Sequence, residues 1–146
     1  MKACRFRIAQ LAVPISTVLV LCVFAGCRSA PRQPSGTGAK ETAQRFFEAI
    51  VSKDWTSAYG LLTSESKGRV SSDQFAKMAQ QYRQSVGFEP ANVYITACEE
   101  HGREAMAHVT ISGKGAHRSR FKDAIPLKSD GTWGVSLPSN FGRVGG

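Results

Sequence analysis

The sequence predicts an α+β domain, helices first and sheet second, from Ala39 to Phe141. Up to Gly87 the apolar residues recur at spacings of three and four, the period of a helix face. After Pro90 they alternate, the period of a half-buried strand. The Asp130-Gly131 pair between two apolar runs marks a hairpin, so the last strands are antiparallel.

Each element follows from its residues. Lys40 to Ser52 puts Ala43, Phe46, Phe47, Ile50 and Val51 on one face of an amphipathic helix. Asp54 is placed to cap a second, shorter helix carrying Trp55, Ala58, Tyr59, Leu61 and Leu62. Ser71 and Gln74 have capping-box spacing, and Val70 can staple onto Phe75. The helix they start shows Phe75, Met78, Ala79 and Tyr82 on one face and ends at Gly87. Beyond Pro90, Val93, Ile95 and Ala97 alternate with Tyr94, Thr96 and Cys98. Gly102 turns the chain, and Ala105, Ala107, Val109 and Ile111 alternate with Met106, His108 and Thr110. A Gly113-Lys114-Gly115 loop leads to a strand with Phe121, Ile125 and Leu127, and Trp133, Val135 and Leu137 finish the sheet. About four strands joined by short turns pair antiparallel with one apolar face, which the three helices cover.

Ahead of this domain the chain reads as an export signal. Lys2, Arg5 and Arg7 make a cationic start, and Ile8 to Phe24 is uncharged and mostly apolar. That span sits at the lower limit for a membrane crossing, and Pro14 and Gln10 weaken it as a stable helix. Phe24-Ala25-Gly26-Cys27 resembles the lipobox of bacterial lipoproteins, although that pattern prefers Leu where Phe24 stands. The resemblance implies cleavage before Cys27, lipid on its thiol, and a place in the cell envelope. Arg28 stands where an Asp would resemble an inner-membrane retention signal. Sorting to the outer membrane, facing the periplasm, is therefore implied in a cell with two membranes; otherwise the anchor is the outer face of the cell membrane. The expected organisation is a signal peptide at 1–26, lipidated cysteine and flexible tether at 27–38, the domain at 39–141 and a tail at 142–146.

Cleavage changes the composition. Cys4 and Cys22 leave with the signal and Cys27 is lipidated, so Cys98 has no disulfide partner and is expected as a half-buried structural thiol. Of the net charge of +8, three positive charges lie in the signal, leaving +5. That favours anionic headgroups or wall polymers as partners, and with export it argues against nucleic acid.

The helix pair has a family likeness. Phe46-Phe47-Glu48-Ala49-Ile50 through Asp54-Trp55 to Ala58-Tyr59-Gly60-Leu61-Leu62 resembles the opening of the NTF2-like (nuclear transport factor 2-like) superfamily. Ser66-Lys67 with the Ser72 to Phe75 helix start is similar to the NTF2-like domain of some penicillin-binding proteins. Asp130-Gly131-Thr132-Trp133-Gly134-Val135 resembles the final strand of small exported members of the superfamily. The likeness, over about Lys40 to Leu137, implies a cone of helices on a curved sheet with a pocket between them. Some family enzymes, ketosteroid isomerase and scytalone dehydratase among them, place Asp, His and Tyr there; other members are binding modules, and sheets often pair into homodimers.

Tyr59, Tyr82, Asp123 and Trp133 are the candidate pocket residues. Asp123 shares parity with Phe121, Ile125 and Leu127, so a regular strand points its carboxylate at the apolar face, where it can act as a base or hold a polar ligand. A bulge, which Pro126 would ease, turns it outward instead. The tyrosines read equally as core rings with a wet tip. No histidine spacing, nucleophile elbow or phosphate loop stands out, so neither metal nor cofactor is expected. Arg118, Arg120 and Lys122 alternate along one strand, either an anion-binding stripe or a solvated face that discourages edge pairing. The expected function is a lipid-anchored, non-catalytic module binding an envelope protein, an anionic polymer or a small apolar ligand. The alternative is a small isomerase or dehydratase with Asp123 as base.

Overall fold

The structure, a computed structural model, describes residues 37–115 and 119–143; Cys27, His117 and Arg118 lie outside them. Helix α1 (Ala39–Ser52) turns Ala43, Phe46, Phe47 and Ile50 inward, and Lys53 ends it in a left-handed conformation, φ 64°. Asp54 caps α2 (Trp55–Gly60) by accepting the Ser57 N–H. Helix α4 (Ser72–Ser85) starts with both hydrogen bonds of the Ser71/Gln74 capping box.

Between them lies α3 (Ser64–Arg69), a helix beyond the three expected. It has no apolar periodicity, and caps hold it instead. Thr63 accepts the Ser66 N–H, and buried Ser66 accepts both the Thr63 hydroxyl and the Leu137 N–H at 2.9 Å.

Strands β1 (Pro90–His101), β2 (Glu104–Gly113), β3 (Arg120–Ser129) and β4 (Trp133–Val135) form one antiparallel sheet in sequence order. Gly102 supplies the positive φ (64°) in the tight turn between β1 and β2. A register shift between Ile95 and Ala97 changes the reading of β1. Before it Val93 and Ile95 face the helices; after it Cys98 does, opposite Ala107, and Ala97 is exposed. The extra residue of a bulge reverses parity, which no alternation count anticipates. Pro126 makes no such shift, because β3 pairs with β2 in unbroken register from Arg120 to Lys128.

The core lies between the inner sheet face and the helices. Phe46, Phe47 and Phe75 are fully buried, and each buried ring contributes roughly 1.5–3 kcal/mol. Phe141 enters this cluster from beyond the sheet. Its ring stacks on Tyr82 (4.8 Å between centroids) and on Phe75 (6.2 Å). The domain continues past this residue. Gly142, the first residue of the expected tail, is buried, and a Cβ on it would collide with the Met78 carbonyl oxygen. At the other end of the sheet, Leu62 bridges Val135 in parallel, with Thr63 N–H on Val135 O and Val135 N–H on Leu61 O. Gly134 lets this crossing close, since a Cβ there would meet the Thr63 backbone at 3.0 Å.

Candidate functional site

The unbroken register of β3 decides where Asp123 goes. It lies opposite Val109, in the row of Ile95, on the helix-facing side of the sheet, so the outward-turned alternative is excluded. From α4, Tyr82 reaches it: the phenol donates to Asp123 Oδ2 at 2.9 Å. The Ala124 backbone N–H donates to Oδ1 at 2.8 Å. Both carboxylate oxygens are therefore engaged, which is how a charge at the edge of an apolar core is tolerated.

Tyr82 is only 5 % exposed. Burial first, then the adjacent Asp123 charge and the hydrogen bond to it, push its hydroxyl far above the ordinary tyrosine range. The phenol stays protonated and acts as a donor. The pair opens on a cavity of about 460 Å³ whose walls include Phe121, Ile125, Phe141, Asn140 and Arg143. Its lining is mixed, rings and an aliphatic side chain beside as much polar surface, and its volume falls within the roughly 300–1,000 Å³ that small-ligand sites occupy.

The other two candidate residues lie elsewhere. Tyr59 donates to the Val70 carbonyl at 3.1 Å and packs on Phe75, a core ring with its polar tip satisfied. Trp133 lies against Gly38 and borders a separate hollow with Glu41, Arg45 and Thr132. Residues that the sequence did not single out complete the Tyr82–Asp123 cavity. Asn140 and Arg143 come from the segment after the sheet, and no local pattern in Pro138–Arg143 announces that it folds back.

On the outer sheet face, Arg120 and Lys122 project together, joined by Tyr94, Thr96, Thr110 and Ser112 around a shallow groove of about 430 Å³. Lys128 further along β3 pairs with Glu65 at 3.6 Å. Cys98 is half-buried, and its thiol is pushed up, first by burial and then by Glu100 and Glu41, so little of it is thiolate. Ser64 and Lys67 have the Ser-x-x-Lys spacing of an acyl-transfer nucleophile and its base. Lys67 Nζ, however, donates to the Gly60 carbonyl at 2.7 Å, and Ser64 is exposed at the start of a six-residue helix. Among the described residues no cluster of His, Cys, Asp or Glu could hold a metal ion, and no helix is long and apolar enough to cross a membrane.

The chain is similar in structure to an NTF2-like transpeptidase from Campylobacter jejuni. The TM-score is 0.53 at 15 % identity, over 67 % of this chain and 96 % of that one. The fold is NTF2-like. A SEC-C motif containing protein from Rhodopseudomonas palustris aligns less closely, with TM-score 0.46 and 12 % identity over 62 % of this chain and 69 % of its own. No protein-family profile matches the sequence, and no curated protein matches it. In this NTF2-like domain, aromatic rings fill the space between helices and sheet, and the open volume lies at the rim beside Tyr82 and Asp123.

Proposed function

We propose that the protein is a membrane-anchored envelope lipoprotein whose NTF2-like domain binds a small ligand without transforming it. The observation that carries this reading is the Tyr82–Asp123 pair facing a cavity of about 460 Å³. Phe121, Ile125 and Phe141 suit an apolar body, and the remaining lone pairs of the Asp123 carboxylate suit a hydroxyl or ammonium donor. The anchor is the lipid on Cys27, reached through the tether.

An isomerase or dehydratase is the second reading, favoured by the one fact that Asp123 faces a cavity beside a tyrosine. Two features support binding over catalysis. The Tyr82 proton is directed at Asp123 itself, so the pair offers no separate acid to work with the base. His101 ends β1 opposite Glu104 and His108 lies on the outer sheet face, both away from the cavity. The Campylobacter protein's transpeptidase description gains no support from Ser64 and Lys67, since Lys67 donates to the Gly60 carbonyl.

The test uses the full chain in detergent micelles, with n-alkylamines and the matching n-alkanols as probes and tyrosine-ring NMR as readout. The expected result is saturable movement of the Tyr82 signals, weakened about tenfold by Asp123→Asn, the loss of one charge-assisted contact. Unmoved Tyr82 signals overturn the binding reading. Exchange of a ketosteroid's acidic C–H for deuterium, abolished in Asp123→Asn, would establish the enzyme instead. For the anchor, radioactive palmitate incorporated by wild type and lost in Cys27→Ser is the expected result; equal labelling excludes it.

A further inference from the structure

The outer face of the sheet is a second surface with its own chemistry, independent of the Tyr82–Asp123 cavity. Parity places Tyr94 of β1, Thr110 of β2 and Lys122 of β3 in one row, with Ser112 and Arg120 in the next. Tyr94 is one of two large hydrophobic residues left exposed among the described ones, at 51 %. Thr96 completes the groove of about 430 Å³, and among the described residues no carboxylate lines it. Among the described residues neither Arg120 nor Lys122 forms an ion pair, in contrast to Lys128 with Glu65 and Arg83 with Glu89.

We infer that this groove binds an anionic glycan, a sugar chain carrying carboxylate groups. Three kinds of group converge, and each answers a different part of such a ligand. The two unpaired cations attract the carboxylates, most strongly at low salt. The flat phenol ring offers an aromatic face on which the C–H face of a pyranose stacks. An exposed hydroxyl, Thr96, offers an acceptor to a sugar hydroxyl. Thr96 already donates to the His108 carbonyl at 3.2 Å, so its oxygen is left to accept. Ser112, buried and accepting from Asn92 at 3.5 Å, backs the floor of the groove, and half-buried Thr110 stands opposite Tyr94 above it. A bare polyanion would need neither ring nor hydroxyl. A lipid headgroup would call for apolar side chains beside the cations to follow the acyl chains. Met106, the other exposed large hydrophobic residue, pairs with Pro126 at the far end of β2, away from the Thr110–Lys122 row.

The experiment titrates the full chain in detergent micelles with oligogalacturonate, following Tyr94 by ring NMR and affinity by calorimetry. Oligogalacturonate is expected to bind at low salt and to move the Tyr94 signals. Affinity should fall about tenfold or more in Arg120→Glu/Lys122→Glu, and about threefold or more in Tyr94→Ala, with unchanged thermal unfolding showing that both variants fold. Neutral maltodextrin should bind at least about tenfold more weakly. Polyphosphate binding as tight as that of the glycan, with no loss in Tyr94→Ala, would reduce the surface to general electrostatics and overturn the assignment. So would Tyr94 signals that respond only when the micelles are doped with phosphatidylglycerol, which assigns the face to lipid. A sedimentation dimer that Tyr94→Ala dissolves would give it to a second copy of the chain. Asp123→Asn is the internal control: it weakens alkylamine binding and leaves glycan binding unchanged, so failure of one site is distinguishable from failure of the other.

Discussion

The two faces of the sheet are built from the same strands, one residue apart, and they treat charge in opposite ways. The inner face carries Val93, Ile95, Ala107, Val109, Ile111, Ile125 and Leu127, all buried, and two carboxylates: Glu100, beyond the bulge opposite Ala105, and, deeper among the apolar rows, Asp123. Both oxygens of the Asp123 carboxylate are met, by Tyr82 and the Ala124 N–H. The outer face carries Arg120 and Lys122 with no ionic partner among the described residues. A charge toward the core needs a partner to be tolerated; a charge toward water needs none, and is free to meet a ligand. On the inside, then, polar residues support the fold as well as any ligand, and on the outside they are free of structural duty.

That contrast can be broken in order of expected effect. Phe141→Ala removes a ring stacked on both Tyr82 and Phe75 and should destabilise the domain by about 3–5 kcal/mol, read from chemical denaturation. Gly142→Ala forces a Cβ against the Met78 carbonyl at a φ of 78° and should cost about 1–3 kcal/mol in the same measurement. Tyr82→Phe leaves Asp123 Oδ2 without its donor and should cost about 1–3 kcal/mol. Arg120→Glu and Lys122→Glu, on the outer face, should each stay within about 0.5 kcal/mol of wild type. A large loss from either outer substitution would end the division between the faces.

Tyr82 also sharpens the comparison through pH. Its folded-state pKa is raised, so its contribution to stability is fully present below the unfolded tyrosine value of about 10. Above that value the unfolded chain releases the phenolic proton while the folded one keeps it, so stability declines as pH rises toward the folded pKa. Tyr82→Phe should flatten this alkaline decline relative to wild type in denaturant titrations.

How much of this was legible in the sequence depended on how local the cause was. Helices α1 and α4 were readable because their apolar stripes and the Ser71/Gln74 box lie within a few residues of each other. The four strands and their order followed from short turns, Gly102 and Asp130-Gly131 among them. The helix Ser64–Arg69 was not readable, because what holds it includes the Leu137 N–H on Ser66, contributed from far along the chain. The bulge near Thr96 was invisible because nothing in Ile95-Thr96-Ala97 demands it, and so Ala97 was grouped with Val93 and Ile95 in the place that Cys98 takes, although the half-burial of Cys98 was read correctly. At the candidate site, Tyr82 and Asp123 were each recognisable by parity. Their pairing across helix and sheet was not, nor was the return of Asn140 and Arg143 to the same cavity. Tyr59 and Trp133 were grouped with them because one-dimensional pattern gives the face of an element and not the position along it.

Phe141 has a consequence for timing. Its ring sits among Phe46, Phe75 and Tyr82, and the bridge between Leu62 and Val135 also joins distant parts of the chain. A polypeptide delivered in order from its N-terminus therefore holds an open aromatic cluster until these last residues arrive. Contacts of such wide sequence separation form late, because loop closure comes before any return in packing. Closure of the aromatic cluster therefore waits on a residue from beyond the sheet, and the helices cannot complete it among themselves.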